Sequence, residues 1–132
     1  MAQPIDLPET TLHKATVLCV DDSPDMLFIC KRFLESRGYA VLTAPDGETA
    51  LKTLKEHAVD MTVTDNEMPG MTGLELADEI KHIKMNLPVL MFSSARPGLS
   101  PSVDRYLEKS DGPSGLVEAV QSIVPACSIS KH

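Results

Sequence analysis

The fold that this sequence predicts is decided first by one stretch, MTVTDNEMPGMTG at residues 61–73. Its first four residues are apolar or β-branched, which is typical of a short buried strand. Asp65 follows that strand directly, and Pro69-Gly70 predicts a turn. Apolar residues then recur at helical spacing over residues 72–85, so the stretch predicts a strand, a polar loop and a helix in succession.

The same alternation of apolar runs and amphipathic stretches continues on both sides of this unit. The predicted strands lie at residues 16–20, 40–43, 61–64, 88–92 and, more weakly, 106–107. The predicted helices lie at residues 24–37, 47–57, 72–85 and 113–124. Because right-handed crossovers place helices on both faces of a parallel sheet, the predicted fold is α/β, with a doubly wound sheet of five parallel strands.

One segment departs from this alternation of strands and helices. Residues 95–105, ARPGLSPSVDR, contain two prolines and a glycine where another helix is due. This composition leaves room for a short helical turn at most. We therefore expect the helix of the fourth crossover to be shortened or missing.

The length of 132 residues fits one domain, since domains contain on the order of 150 residues. Residues 1–14 contain two prolines and no apolar period, so they are expected to form a flexible leader. The domain is expected at residues 15–125, followed by a C-terminal tail at residues 126–132. A separate effector domain has no room in this length, so a stand-alone domain is expected.

The charge balance narrows the classes of partner. The chain has 12 Lys and Arg residues against 19 Asp and Glu residues, a net charge of −7. Excess negative charge argues against nucleic acid and against a membrane surface as partners. The 3 cysteines show neither disulfide nor zinc spacing, and no apolar run has the length of a membrane span. A cytoplasmic protein that binds a cation or a basic surface is expected.

Polar residues follow the predicted strands, where ligands of open parallel sheets bind. They are Asp21, Asp22, Asp65, Ser93 and Lys109. Each alone has a structural alternative: the aspartates as helix caps or turn residues, Ser93 as a satisfied hydroxyl and Lys109 as a solvated strand end.

Taken together, these residues predict a site for a cation and a phosphoryl group. Two carboxylates about 4 Å apart repel by roughly 4 kcal/mol at an effective dielectric constant of 20, and a divalent cation removes that repulsion. A few carboxylates plus water are the ligands that Mg²⁺ prefers. A dication, an ammonium group and a hydroxyl can hold the oxygens of a phosphoryl group, with one carboxylate as the nucleophile.

The chain resembles the receiver domain of two-component response regulators, in its stand-alone, chemotaxis-regulator-like form, from residue 15 to about residue 124. The resemblance is carried by the acidic pair Asp21-Asp22, the D-x-x-M-P-x-M-x-G pattern that starts at Asp65, Ser93, and Lys109 three residues after Tyr106. It implies a flavodoxin-like fold with strand order 2-1-3-4-5.

The resemblance implies that Asp65 accepts a phosphoryl group from a histidine kinase or a histidine phosphotransfer protein. It also implies that Asp22, Asp65 and the backbone carbonyl of Glu67 bind Mg²⁺ directly, while Asp21 acts largely through water.

By the same resemblance, Ser93 and Lys109 contact the phosphoryl group, and Ser93 with Tyr106 forms a switch that changes binding to a downstream protein. Such a protein catalyses only its own phosphorylation and dephosphorylation.

Two departures leave alternatives open. The fourth helix is short or missing, and Ser110 follows Lys109 where the family commonly has proline. A degenerate receiver that binds partners without phosphorylation is therefore one alternative. A small Mg²⁺-dependent aspartyl phosphatase is another, with Glu67 as a possible general acid, but the chain has no insertion long enough to cover a substrate.

Overall fold

The computed structural model describes residues 10–95 and 98–131. Its strands are β1 (Thr10–Lys14), β2 (Thr16–Val20), β3 (Ala40–Ala44), β4 (Met61–Thr64), β5 (Val89–Ser93), β6 (Arg105–Glu108) and β7 (Cys127–Lys131). Its helices are α1 (Pro24–Ser36), α2 (Gly47–Glu56), α3 (Gly73–Ile83) and α4 (Gly112–Ile123), and a 3₁₀ turn spans Lys109–Asp111. No helix in these two ranges is long and apolar enough to cross a membrane.

Strands β2 to β6 form one parallel sheet in the order β3-β2-β4-β5-β6. Counted within this sheet, the order is 2-1-3-4-5, so the predicted doubly wound α/β fold is confirmed. The predicted strands and helices of the sheet begin and end within two residues of the observed ones.

The helices begin where the sequence supplies acceptors for their first N–H groups, which have no partner within the helix. Ser23, Asp46 and Thr72 precede α1, α2 and α3, and each side chain accepts a hydrogen bond from the backbone N–H three residues later. These caps lie on the loops that leave the carboxyl ends of β2, β3 and β4, so they also order the edge of the sheet where the polar residues gather.

The core has two layers, one on each face of the sheet. Helices α1 and α4 pack on one face through buried residues such as Leu34 and Leu116. Helices α2 and α3 pack on the other through buried residues such as Leu54 and Leu76. Burying both faces makes the strands almost uniformly apolar, which is why they were recognisable as short apolar runs.

The connection from β5 to β6 contains no helix in its described residues, 94–95 and 98–104, in agreement with the shortened or missing helix expected there. Asp104 anchors its end. Its N–H donates to the Val89 carbonyl at 2.9 Å, and its Oδ2 accepts from Val89 N and Lys81 Nζ, each at 2.8 Å. These contacts hold the start of β6 beside β5 and α3.

The structure describes a strand within the leader expected at residues 1–14 and another within the tail expected at residues 126–132. Strand β1 pairs with β7 in an antiparallel ribbon, with Lys14 opposite Cys127, and Ala15 N donates to Ala126 O at 2.8 Å. Residues 1–9 and 132 lie outside the described residues. The ribbon was missed because each strand finds its hydrogen-bond partners only at the opposite end of the chain, which local sequence patterns do not report.

Two buried threonines on β4 differ in how their hydroxyls are satisfied. Both lie on the strand face opposite Met61 and Val63, and both are fully buried. Thr64 Oγ1 donates to the Asp65 carbonyl at 2.7 Å, whereas Thr62 Oγ1 has no hydrogen-bond partner within the described residues. A buried hydroxyl without a partner costs free energy of folding.

We expect Thr62→Val to increase the free energy of unfolding by about 1 kcal/mol, because it removes an unsatisfied hydroxyl at nearly constant volume. Thr64→Val is the matched control and should decrease it by a similar amount, because it removes a formed hydrogen bond. Urea unfolding of the two variants and the wild type measures both effects. A destabilising Thr62→Val substitution would show that its hydroxyl is satisfied in solution.

Candidate functional site

Asp21 and Asp65 lie side by side because the strands that precede them are paired in register. Val20 at the end of β2 lies opposite Thr64 at the end of β4, and Asp65 N donates to Val20 O at 2.9 Å. Both side chains are buried. The parallel pairing therefore places two carboxylates at the same point of one sheet edge, as the sequence predicted.

Asp22 completes a cluster of three carboxylates. One oxygen from each of Asp21, Asp22 and Asp65 lies within 4.8 Å of the others, and Asp22 is exposed whereas the other two are buried. Both oxygens of Asp21 are engaged, Oδ1 with Ser23 N at 2.9 Å and Oδ2 with Lys109 Nζ at 2.8 Å. Within the described residues, the Asp22 carboxylate makes no hydrogen bond.

Lys109 supplies a positive charge beside this carboxylate cluster. Its Nζ lies 2.8 Å from Asp21 Oδ2 and 3.4 Å from Asp65 Oδ2, and its side chain is 19% exposed. Burial lowers the pKa of Lys109, but the hydrogen bond and charge of Asp21, with those of Asp65, outweigh burial and raise that pKa above its ordinary value. Lys109 is therefore held as an ammonium ion beside Asp65.

One ammonium does not neutralise three carboxylates. Burial raises the pKa of the Asp65 carboxyl; the charge of Lys109 opposes this rise and the charge of Asp21 adds to it. The ionised form of Asp65 is thus less favoured than that of an exposed aspartate, and a further cation would favour it. Three clustered carboxylates with one exposed member are an oxygen donor set that fits Mg²⁺.

The loop after Asp65 is drawn tightly against the start of α3. A side chain on Gly73 would place its Cβ 2.2 Å from the Asp65 carbonyl oxygen and 2.9 Å from Asn66 Cα. Only glycine permits this approach, which explains physically the last residue of the 65–73 motif. Asn66 N donates to Asp65 Oδ1 at 2.9 Å, so one carboxylate oxygen is held by the loop while Oδ2 faces Lys109.

Ser93 and Tyr106 line the same pocket of about 90 Å³. Ser93 ends β5, is buried, and accepts a weak hydrogen bond from Ala95 N at 3.4 Å. Tyr106 lies on β6, and its hydroxyl accepts a hydrogen bond from Ser100 N at 2.7 Å. Ser93 and Tyr106 therefore face the same pocket. Through Ser100, Tyr106 also contacts the connection between β5 and β6.

The structure brings four of the predicted site residues into one cluster and places a fifth in a neighbouring pocket. Asp21, Asp22, Asp65 and Lys109 form one cluster, while Ser93 shares a pocket with Tyr106. Glu67 is exposed, and the role of its backbone carbonyl stays a prediction.

Sequence reasoning missed Asn66, the neighbour of the central aspartate. Its side-chain oxygen accepts from Leu74 N at 3.1 Å, across the whole length of the loop. Asparagine is a common helix-capping residue, but it normally lies directly before the helix, so its distance from α3 in sequence concealed this contact.

Comparison with known proteins identifies the family. Residues 17–121 match the response regulator receiver domain. The response regulator GtcR of Aneurinibacillus migulanus is 30% identical over 113 residues, which cover 81% of this chain and 46% of GtcR. PhoP of Bacillus subtilis, an alkaline phosphatase synthesis transcriptional regulatory protein, is 31% identical over 114 residues, covering 82% and 48%. The chain spans about half the length of these curated relatives.

Solved structures show the same architecture. The response regulator TrrA of Thermotoga maritima, in complex with Mg²⁺-BeF, is 34% identical with a TM-score of 0.79, covering 83% of this chain and 99% of TrrA. TrrA in complex with the histidine kinase ThkA matches at 32% identity and a TM-score of 0.76, covering 83% and 98%. The chemotaxis protein CheY4 of Vibrio cholerae is 28% identical with a TM-score of 0.76, covering 85% and 100%.

The motif, the acidic cluster with its lysine, and these matches lead to one conclusion: the chain belongs to the receiver domain family of two-component response regulators.

Proposed function

We propose that Asp65 accepts a phosphoryl group from a phosphohistidine of a histidine kinase or a histidine phosphotransfer protein. One observation carries the proposal: Lys109 lies 2.8 Å from Asp21 and 3.4 Å from Asp65, at an edge that also holds Asp22. The relative TrrA, which has been solved with Mg²⁺-BeF and with the kinase ThkA, supports both the cation and the class of donor.

The proposed transfer is a substitution at phosphorus. A carboxylate oxygen of Asp65 forms a bond to phosphorus while the bond from phosphorus to the donor imidazole nitrogen breaks. The imidazole leaves with the electron pair of that bond and takes up a proton. Water later attacks the acyl phosphate and releases inorganic phosphate, which regenerates Asp65. The chain is thus a phosphoacceptor switch that catalyses only these two reactions on itself.

The residues around Asp65 have separate tasks in this transfer. Asp22, Asp65 and the backbone carbonyl of Glu67 would hold Mg²⁺ directly and Asp21 largely through water, and the ion supplies positive charge to the phosphoryl oxygens when bound. Lys109, already an ammonium ion beside Asp65, would bind a phosphoryl oxygen and oppose its negative charge.

The proposed output is a change in the affinity for a downstream protein. Ser93 would turn toward the phosphoryl group, and the pocket that it shares with Tyr106 would transmit this movement to β6. The connection between β5 and β6 would then move as well, because its Ser100 N donates a hydrogen bond to the Tyr106 hydroxyl. The stand-alone organisation stays a prediction, because the curated relatives are about twice as long as the matched segment. The cytoplasmic location stays a prediction as well.

A degenerate receiver is the second candidate, and one observation favours it. The described residues between β5 and β6 contain no helix, so a surface that the family commonly uses for output has a different shape here. The acidic cluster and Lys109 argue for phosphorylation, because an interaction module without it has no need to hold three carboxylates together.

We expect incubation with acetyl phosphate and Mg²⁺ to add the mass of one phosphoryl group to the wild type. Asp65→Asn should gain none, because its amide is not a nucleophile. Intact mass spectrometry measures both, and omission of Mg²⁺ should slow the gain. A wild type that gains no mass with acetyl phosphate or a phosphohistidine donor would establish the degenerate receiver instead.

We also expect Mg²⁺ to raise the thermal unfolding midpoint of the wild type, since a ligand at a hundredfold its dissociation constant stabilises by about 2.7 kcal/mol. Asp22→Asn should require more Mg²⁺ for the same rise, because it removes one anionic ligand. Asp78→Asn, an exposed carboxylate on α3, is the matched control and should respond as the wild type does. Equal Mg²⁺ responses in Asp22→Asn and Asp78→Asn would place the cation elsewhere.

A further inference from the structure

We propose that Asn66 is a positioning residue that fixes the orientation of the Asp65 carboxylate for phosphoryl transfer, an inference that rests on the function proposed above. The family motif leaves this position unspecified, since Asn66 is the first variable residue of D-x-x-M-P-x-M-x-G. The assignment comes from three hydrogen bonds that join this one residue to the acceptor and to α3.

The first two bonds hold Asn66 against the start of α3. Its side-chain Oδ1 accepts from Leu74 N at 3.1 Å, and its backbone oxygen accepts from Gly73 N at 2.9 Å. Gly73 and Leu74 are the first two residues of the helix, so their N–H groups have no acceptor within it. Asn66 therefore caps α3 from the far end of the loop.

The third bond transmits this anchoring to Asp65. Asn66 N donates to Asp65 Oδ1 at 2.9 Å, while Asp65 Oδ2 lies 3.4 Å from Lys109 Nζ. The carboxylate is thus held between a backbone N–H on one oxygen and an ammonium group on the other. Because Asn66 is anchored to α3, the N–H that holds Asp65 Oδ1 keeps its position, and rotation of the carboxylate away from Lys109 breaks this hydrogen bond.

Thr72 provides an internal comparison on the same helix. Its hydroxyl accepts from Glu75 N at 3.2 Å, so Thr72 and Asn66 each cap one N–H group of the first turn of α3 through a side chain. Only Asn66 also contacts the acceptor carboxylate. Loss of either cap should lower the thermal unfolding midpoint by a similar amount, whereas only the loss at Asn66 should slow phosphoryl transfer.

The test compares Asn66→Ala, Asn66→Asp and Thr72→Ala in the full chain. The rate of phosphorylation by acetyl phosphate and Mg²⁺ is followed by intact mass, and thermal midpoints are measured beside it. We expect Asn66→Ala to lower the rate about tenfold, because a poorly oriented nucleophile reaches the reactive geometry less often. Thr72→Ala should stay within about twofold of the wild type at a similar loss of stability.

Asn66→Asp keeps an acceptor oxygen in the same place, and a negative charge is favourable at a helix N-terminus, so it should restore the rate to within about threefold. If Asn66→Ala is too unstable to assay, Asn66→Gln, which displaces the oxygen by one methylene, takes its place. A wild type that is never phosphorylated overturns both proposals. A phosphorylated wild type with equal rates in Asn66→Ala and Thr72→Ala, or equal slowing in Asn66→Ala and Asn66→Asp, overturns only the role of Asn66.

Discussion

Charge repulsion at one edge of the sheet is the constraint on which the site depends. Asp21, Asp22 and Asp65 offer oxygens within 4.8 Å of one another, and Lys109 is the one basic side chain that the described structure pairs with them. The folded chain holds this cluster together because the paired strands and the capped loops around it are ordered by their own hydrogen bonds. The remaining excess of negative charge leaves the edge suited to a cation and, beside the cation, to an anionic phosphoryl group.

The rigidity of the acceptor loop is the second requirement, and it comes from backbone contacts. Gly73 lets α3 approach the Asp65 carbonyl more closely than any side chain would allow. Asn66 and Thr64 hold the same residue from its two sides, since Thr64 Oγ1 donates to the Asp65 carbonyl and Asn66 N to the carboxylate. Hydrogen bonds to Thr64 Oγ1, Asn66 N and Val20 O therefore fix Asp65, while the exposed Asp22 keeps the cluster open to solvent.

The connection between β5 and β6 is the part of the described sheet surface that departs most from the alternation of strand and helix, because its described residues contain no helix. Asp104 and Lys81 hold the end of the connection at the base of the sheet, and the Tyr106 hydroxyl holds its middle through Ser100. A tyrosine that contacts this connection and shares a pocket with Ser93 links the surface to the candidate site through two residues. The described residues of this segment therefore differ from the helix that the family commonly has at this place.

The sequence by itself determined the fold class and, through the family resemblance, the strand order. It also predicted Asp21, Asp22, Asp65 and Lys109, which the structure brings into one cluster, and Ser93, whose part in the site stays a prediction. This was possible because buried parallel strands are short apolar runs, and because their carboxyl ends must lie at one edge. Tertiary structure alone decided which groups touch: Lys109 on Asp21 and Asp65, Asn66 on Leu74, and Tyr106 on Ser100. It alone also revealed the pairing of β1 with β7. Such contacts join segments distant in sequence through directional hydrogen bonds, which leave no periodic pattern along the chain.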